Sequence, residues 1–147
     1  MPVERVHQHK TLRCFNLAIA NKKIEMVKLA IPLLHVSDPV SAENFYCKQL
    51  GFEKTFSYQP FGETGPCYFG IVRDRVRVHL SSFPSDRIAG NAVVLVVDGV
   101  DALYKEFLLK GVEIDLAPTD QDWGNREMYI NEKNNNSIRF TQWKQDE

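Results

Sequence analysis

The chain of 147 residues has few cysteines, no long apolar run and almost no net charge. Its three cysteines, Cys14, Cys47 and Cys67, are an odd number without a CxxC pair. This excludes a disulfide framework and a zinc cluster, and favours a cytoplasmic location. No stretch approaches the ~18 apolar residues of a membrane span, and the N-terminus lacks the apolar core of a secretory signal. Eighteen Lys and Arg against nineteen Asp and Glu, without long basic runs, disfavour a nucleic-acid partner.

The chain is 44% apolar and 11% aromatic, a composition typical of one globular domain. We divide the chain into an N-terminal extension over residues 1–26 and a domain over residues 27–147. Within the extension, residues 11–21 have the apolar spacing of one short helix. This extension either packs on the surface of the domain or contacts a partner subunit.

The domain begins with a strand followed by a helix. Residues 29–36 are almost wholly apolar and predict a buried strand. Asp38 is placed as an N-cap with Pro39 at the first helical position, where the missing N–H costs nothing. Apolar residues then recur on one helical face at Ala42, Phe45, Tyr46 and Leu50. Gly51 ends the helix at a position suited to the left-handed conformation.

The same pattern returns 60 residues later, which indicates an internal duplication. Residues 92–97 predict a second apolar strand, Asp98 a second cap and Gly111 a second helix end. The matched positions at this offset are Asp38 with Asp98, Ala42 with Ala102, and Gly51 with Gly111. The expected apolar face of the second helix is Val100, Leu103, Phe107 and Leu108.

Three strand-like segments follow each helix, so each half is predicted to be a βαβββ module, the first about residues 27–82 and the second about 91–142. The predicted strands are 52–58, 67–73 and 75–81 in the first module, and 112–116, 127–131 and 137–142 in the second. Turn-rich segments separate them, including 118–124. The fold class is therefore α+β, with helices covering one face of mainly antiparallel sheets.

Alternation along the strands predicts which side chains face away from the helices. Leu34 and Val36 are assigned to the core, which leaves Ile31, Leu33 and His35 opposite. Val76, Val78 and Leu80 are likewise assigned to the core, and Ile138 and Phe140 in the last strand. The opposite face then carries Arg75, Arg77, His79, Ser81, Ser137, Arg139 and Thr141. The strand at 92–97 is apolar throughout, so its facing stays open.

These residues resemble the glyoxalase/bleomycin resistance protein/dioxygenase superfamily, the vicinal oxygen chelate fold, and most of all its bleomycin-resistance branch. The resemblance covers about residues 27–142. Residues 132–136 depart from the family's Asp-Pro-x-Gly-Asn, which replaces one turn with another. The stretches that carry the resemblance are Ile31-Pro-Leu-Leu-His-Val-Ser-Asp38, Leu50-Gly51-Phe52, Val78-His79-Leu80-Ser81, Trp123-Gly124-x-Arg126-Glu127 and Ile138-Arg139-Phe140.

The resemblance implies two modules that curve into an incomplete barrel around a cleft, where enzyme members hold a divalent metal through four side chains. By position those four fall on Ile31, His79, Ala92 (or Asn91) and Arg139. Only His79 is a good ligand, whereas a catalytic metal needs about three protein ligands. Arg139 has no acceptor lone pair and would repel the cation. We therefore expect no metal and no other cofactor.

Bleomycin-resistance members lack the metal and bind a cationic glycopeptide in grooves between two subunits, which implies a homodimer here. Trp123 is the best stacking residue, and Glu127 can supply negative charge unless it forms an ion pair with Arg126. The arginines and histidines of the same face instead favour an anionic ligand. The candidate ligand-binding residues are His35, Phe56, Tyr68, Arg77, His79, Trp123, Glu127 and Arg139, with no catalytic residue assigned.

The sequence thus predicts a metal-free protein that sequesters an antibiotic or another small organic molecule in a cleft. Two alternatives stay open. One is an isomerase-, lyase- or dioxygenase-like enzyme with a rebuilt site, in which His79 or His35 acts as a base. The other is a binding protein for an anionic metabolite. The sequence also leaves open whether the two modules of one cleft come from one chain or from two subunits.

Overall fold

The structure is a computed structural model that describes residues 26–88 and 90–144. The chain divides into two units, Met1–Ala30 and Ile31–Glu147. The strands and helices described next all lie in the second unit. The predicted extension over residues 1–26, with its helix at 11–21, lies outside the described residues apart from Met26. Within the described part, no helix is both long enough and apolar enough to cross a membrane.

Eight strands and two helices follow one another as two βαβββ modules. The first module contains β1 (Leu33–His35), α1 (Pro39–Glu43, continued as a π-helix over Asn44–Gln49), β2 (Glu53–Tyr58), β3 (Tyr68–Arg73) and β4 (Val76–Ser81). The second contains β5 (Ala92–Val96), α2 (Val100–Leu109), β6 (Leu116–Asp120), β7 (Arg126–Asn131) and β8 (Ser137–Gln142). A 3₁₀ turn, Pro84–Asp86, lies between them.

Each module forms a four-stranded sheet with the same topology. The strand orders are β1-β4-β3-β2 and β5-β8-β7-β6. The pairs β1–β4 and β5–β8 are parallel, and the other pairs are antiparallel. Both outer strands, β2 and β6, carry a bulge of one extra residue. The predicted α+β class and the duplicated βαβββ order are confirmed.

One hydrophobic core covers the helix-facing side of both sheets. It contains Leu34 and Leu80 from the first module and Ile138 and Phe140 from the second, all nearly inaccessible. The predicted facing of these residues is confirmed, but Val76, also assigned to the core, is 37% exposed at the start of β4. Val93, Leu95 and Val97 pack against the same core, which settles the facing of β5 that the sequence leaves open.

The two modules are offset by 61 residues before their helices, by 60 at the helix ends and in the last strands, and by 59 in β3 and β7. Val36 and Val97 make equivalent hydrogen bonds to Ser81 and Thr141, and are 61 positions apart. Gly51 and Gly111 end the helices with φ of 77° and 72°, as predicted, and are 60 apart. A π-helical turn in α1 takes up the extra residue, because such a turn inserts one residue into a helix.

This shift makes two predictions about α2 wrong. The N-cap is Gly99 and not Asp98, so the capping residue itself has no side chain to accept a hydrogen bond. The first free N–H, that of Val100, instead donates to the Gln142 side chain at 3.0 Å. Leu103 packs on the core whereas Leu108 is exposed, as is Ala102, so Ala102 is not the counterpart of Ala42.

The strand predicted at residues 112–116 is also wrong, since β6 is Leu116–Asp120 in the segment predicted to be a turn. Val112 and Ile114 alternate because they pack on the core, without pairing in the sheet. Pro118 fits β6 because this edge strand bulges between Leu116 and Thr119, where a proline's missing N–H is tolerated.

Three smaller differences complete the comparison with the sequence. β1 is shorter than the predicted 29–36 and spans three residues, Leu33–His35. Arg75 lies in the turn before β4 and not on the strand. In the turn over residues 132–136, Asn135 adopts the left-handed conformation with φ of 63°, at the position where the family has glycine. Asparagine tolerates that conformation, so a turn is kept, as predicted.

Candidate functional site

Each sheet has one face away from the core, which we call its open face. The strand register places side chains on it that the sequence separates widely. In the first module the open face carries Leu33, His35, Phe56, Tyr68, Gly70, His79 and Ser81. In the second it carries Val94, Val96, Glu127, Tyr129, Arg139 and Thr141. Arg77 pairs with Val72 and lies on the same face as His79, since side chains alternate along β4. All eight predicted site residues except Trp123 therefore lie on the open faces.

His79 is the centre of an aromatic cluster in the first module. Its Nδ1 lies 2.8 Å from the hydroxyl oxygen of Tyr68, and its ring meets the Phe56 ring edge to face at 5.2 Å. Burial, with the nearby charge of Asp86, raises the pKa of Tyr68. The phenol therefore stays protonated and can donate to Nδ1, which leaves Nε2 of His79 for a ligand.

Gly70 makes this packing possible. It lies opposite both His79 and Phe56 in the sheet. A Cβ built on Gly70 would lie 2.3 Å from Cε1 of Phe56, so the aromatic ring occupies the space that any side chain would need. The glycine is therefore required by a close approach and not by its backbone angles.

His35 and Arg77 have fewer contacts with other predicted site residues than His79 has. His35 lies on the open face opposite Ser81, diagonal to His79, which pairs with Leu33. Its Nδ1 is buried without a hydrogen-bond partner among the described residues. Arg77 is exposed near the start of β4. Neither side chain takes part in a described cluster.

In the second module, Glu127 joins Trp123 and Tyr129 into one network. Its carboxylate accepts a hydrogen bond from the Trp123 indole N–H at 3.1 Å and another, on its other oxygen, from the Tyr129 hydroxyl. Trp123 lies in the tight β6–β7 turn and is 64% exposed, whereas Glu127 is only 6% exposed. A buried carboxylate thus fixes one edge of an otherwise exposed indole ring.

The network also sets the ionisation of its members. Burial raises the pKa of Glu127, but the hydrogen bonds from Tyr129, Trp123 and Thr141 and the charge of Arg139 outweigh it, so the pKa is below the ordinary value. The hydrogen bond to Glu127 raises the pKa of Tyr129, followed by burial and the Glu127 charge. Near neutral pH the network therefore contains an ionised carboxylate and a protonated phenol.

Arg139 lies over this network. Its guanidinium carbon is 4.9 Å from the centre of the Tyr129 ring, a cation–π contact. The predicted Arg126–Glu127 ion pair is wrong. Arg126 instead pairs with Asp101 at 2.8 Å and Asp120 at 3.1 Å, away from the network. Glu127 faces the other way along β7 because successive side chains alternate.

The sequence analysis did not find the apolar part of this face. Val94 pairs with Arg139 and is 58% exposed, and Val96 pairs with Thr141 and is 47% exposed. Pairing of β5 with β8 would have revealed them, because the predicted facing of Arg139 fixes that of its neighbours. Charged, aromatic and branched apolar side chains therefore meet on one surface.

A separate groove of about 660 Å³ lies beside α1 and the β7–β8 turn. Its lining includes Asp38, Phe45, Lys48, Glu113 and Lys133. None of the eight predicted ligand-binding residues lines it. The groove therefore does not coincide with the open faces.

A family model described as glyoxalase superfamily protein matches residues 19–147. The chain belongs to the glyoxalase superfamily. No curated protein sequence matches it. The family that the sequence motifs predict is confirmed.

Solved structures of this superfamily have the same fold. A bleomycin resistance determinant encoded on transposon Tn5 is 20% identical with a TM-score of 0.65, over 81% of this chain and 100% of that one. A bleomycin-binding protein complexed with bleomycin is 21% identical, with a TM-score of 0.63 and coverage of 79% and 98%. An antibiotic-binding protein from Streptomyces sp. CB03234 is 23% identical, with a TM-score of 0.61 and coverage of 80% and 98%. The predicted vicinal oxygen chelate fold is confirmed.

The metal that glyoxalase-superfamily enzymes carry does not fit the residues of this chain. The 61-residue offset before the helices makes Ala92, and not Asn91, the counterpart of Ile31. The four positions are then isoleucine, histidine, alanine and arginine, of which only His79 donates a lone pair suited to a metal. Within residues 26–88 and 90–144, no three His, Cys, Asp or Glu side chains are grouped to hold an ion. We therefore derive no step through a metal.

Proposed function

We propose that this glyoxalase-superfamily chain is a metal-free binding protein that sequesters a planar organic molecule, such as an antibiotic, on its open faces. The observation that carries the proposal is the exposed indole of Trp123, held by a buried carboxylate beside Tyr129 and Arg139. A fixed aromatic face loses little conformational entropy when a ligand stacks on it.

The surroundings of Trp123 support this role. Aromatic and branched apolar side chains provide a surface for a flat ligand on both open faces, including Leu33, Phe56, Tyr58, Val94 and Val96. Ligand sites combine such apolar surface with a few placed polar groups, here His79, Glu127 and Arg139. Among solved structures with this fold, several are named as bleomycin- or antibiotic-binding proteins.

The proposal is tested by a thermal-shift panel on chelator-treated protein with metal-free bleomycin, anthracene-2-carboxylate and anthracene-2-carboxamide. A ligand at 100 times its Kd stabilises a protein by about 2.7 kcal/mol, which is a shift of several degrees. We expect at least one compound to raise the Tm, and Trp123→Ala to abolish the shift.

Trp143→Ala is the matched control, because Trp143 is exposed to the same extent as Trp123, 64%, and has no contact with Glu127 among the described hydrogen bonds. It should leave the shift unchanged. Equal losses from both substitutions, or no shift with any compound, would refute the binding role.

We also propose that the working form is a homodimer in which the open faces are covered. Soluble monomers rarely expose contiguous apolar patches of more than a few hundred Å², whereas both open faces carry exposed apolar side chains. Light scattering coupled to size exclusion should give twice the monomer mass of 16.9 kDa. Val94→Lys should shift the protein towards the monomer, whereas Lys105→Gln on α2 should not. A monomer at all concentrations would contradict this.

An enzymatic role is a second candidate because the Tyr68 hydroxyl lies 2.8 Å from His79 Nδ1, an arrangement that orients an imidazole to act as a base. The two roles are separated by following each bound panel compound by NMR over hours. Conversion that disappears in His79→Gln would establish an enzyme. Unchanged compound supports the binding protein.

The compartment proposed for this protein is the cytoplasm. Cys47 and Cys67, the two cysteines in the described part of the chain, are both free thiols. Cys67 is buried near Ser57, and burial raises the pKa of Cys47. Both therefore resemble small core residues, as expected where disulfides do not form.

A further inference from the structure

The charge of the ligand can be inferred from the second open face, provided that the binding role proposed above holds. Arg139 is exposed there and has no carboxylate within 4.0 Å among the described residues. Its guanidinium is held over the Tyr129 ring. This contact positions the guanidinium, and none of its N–H donors has a hydrogen-bond partner among the described residues.

Glu127 does not satisfy those donors. One of its oxygens accepts from the Trp123 indole and the other from the Tyr129 hydroxyl. Its charge acts on Arg139 through space, but no hydrogen bond or ion pair joins the two side chains among the described residues. A ligand that covered Arg139 without an acceptor would leave buried N–H groups unpaired, which is costly.

The neighbours of Arg139 define the rest of the ligand. Val94 lies opposite it on β5, and Tyr129 lies opposite it on β7. Trp123 is joined to Tyr129 through the Glu127 carboxylate. An acceptor group at Arg139 would therefore be attached to a flat apolar body that contacts Val94 and the Trp123 ring.

We infer that the ligand is a planar aromatic carboxylate, which Arg139 binds through two parallel N–H···O bonds while Trp123 and Val94 contact the ring system. A carboxylate matches the fork of donors on a guanidinium better than other anions do. Arg139 is then the residue that selects the charge of the ligand. A cationic ligand is disfavoured at this face.

The test is isothermal titration of the full-length, chelator-treated protein with anthracene-2-carboxylate and, separately, with anthracene-2-carboxamide. The two probes share one ring system and differ by a charge. We expect the carboxylate to bind about tenfold tighter or more, since a charge-assisted pair contributes about 1.5–3 kcal/mol and 1.4 kcal/mol is a factor of ten. Arg139→Gln should remove the preference, and Arg139→Lys should restore part of it.

Lys105→Gln is the charge-matched control, since Lys105 is exposed on α2, and it should retain the full preference. Arg139 is exposed, so its variants should fold, which an unchanged Tm would verify. Equal affinity for the two probes would overturn the inference while leaving the binding role intact. Binding by neither probe would overturn it as well, and if bleomycin also failed to bind, the binding role would fail with it.

Discussion

The two modules share one backbone but differ in the chemistry of their open faces. His79 and Arg139 occupy equivalent positions, opposite Gly70 and Tyr129 respectively. Tyr68 and Glu127 are equivalent in turn, since they pair with Ser81 and Thr141. The first module therefore presents an aromatic cluster around His79, and the second presents an ionic network. The two modules therefore share one frame and differ in the side chains at its equivalent positions.

Aromatic surface is placed differently in the two halves. In the second module the Tyr129 ring comes from the strand position that faces Arg139. In the first module the equivalent position is Gly70, and the Phe56 ring from the neighbouring strand covers it. The equivalent of Phe56 is Leu116, which pairs with Tyr129. The aromatic ring at this place on the face therefore comes from the outer strand β2 in the first module and from β7 in the second.

Removing the Glu127 charge should have the largest effect, because it breaks the ionic network. In Glu127→Gln the charge is lost, and an NH₂ group replaces one of the two carboxylate oxygens that accept from Trp123, Tyr129 and Thr141. We expect a loss of about 2 kcal/mol in unfolding free energy at pH 7, measured by urea denaturation. Glu113→Gln, at an exposed position before β6, should change the stability little.

The same comparison predicts a pH dependence. The pKa of Glu127 is lowered in the folded state, so its contribution is present above the unfolded-state pKa of about 4.3 and is lost as pH falls through the folded-state value. The stability difference between wild type and Glu127→Gln should therefore shrink below about pH 4. A difference that grew on acidification would show that the carboxylate is protonated in the native protein.

Adding a methyl group at Gly70 should have the next largest effect, because it gives the first module the Cβ that the second has at Tyr129. In Gly70→Ala the ring of Phe56 must move away, since the new Cβ would approach it to 2.3 Å. Overpacking of this kind costs about 1–2 kcal/mol. Gly99→Ala is the control, as its Cβ would meet nothing nearer than 3.7 Å. Equal losses would contradict the packing.

Arg73, at the end of β3, and Glu132, just after β7, occupy equivalent positions and connect the modules in different ways. Arg73 donates to Glu106 at 2.9 Å and lies over the Phe107 ring, both in α2. Glu132 binds Asn136, which donates to the His35 carbonyl at 2.9 Å. We expect Arg73→Gln to cost about 1 kcal/mol in urea denaturation, and Arg75→Gln in the nearby turn to cost nothing measurable.

The smallest expected effect concerns the aromatic cluster around His79 in the first module. Tyr68→Phe removes the hydroxyl that bonds to His79 and keeps the ring that stacks at 6.1 Å on Phe56. A neutral hydrogen bond at a partly exposed site contributes about 0.5–1 kcal/mol. The ¹⁵N chemical shift of His79 Nδ1 should change, because it loses its hydrogen-bond partner, even though the stability barely does. A loss of unfolding free energy as large as that of Glu127→Gln would contradict the contrast between the aromatic cluster and the ionic network.

The fold could be predicted from the sequence because apolar periodicity reports burial directly. Apolar periodicity predicts both helices and the order of helices and strands along the chain. It also predicts that Leu34, Leu80, Ile138 and Phe140 face the core. The position of β6 could not be predicted, because Val112 and Ile114 are buried without pairing and periodicity does not distinguish the two. The cap of α2 could not be predicted either, because its acceptor is the side chain of Gln142, which lies far along the chain from Val100.

The candidate site was predicted residue by residue but not as an arrangement. His79, Tyr68 and Phe56 were all named, yet their contact depends on the close approach at Gly70. The Trp123–Glu127–Tyr129 network depends on alternation along β7 and on the β6–β7 turn. A sequence shows that Glu127 and Arg126 are adjacent, and only the strand geometry separates their partners.

The central claim is that the open faces capture an organic molecule without a metal and without reacting with it. It is tested most directly by incubating chelator-treated protein with the panel compound that gives the largest thermal shift, then measuring stoichiometry by titration and the released compound by mass spectrometry. We expect saturable, stoichiometric binding and recovery of the compound with unchanged mass. Conversion of many equivalents per protein, or binding that appears only when a divalent metal is added, would contradict the account.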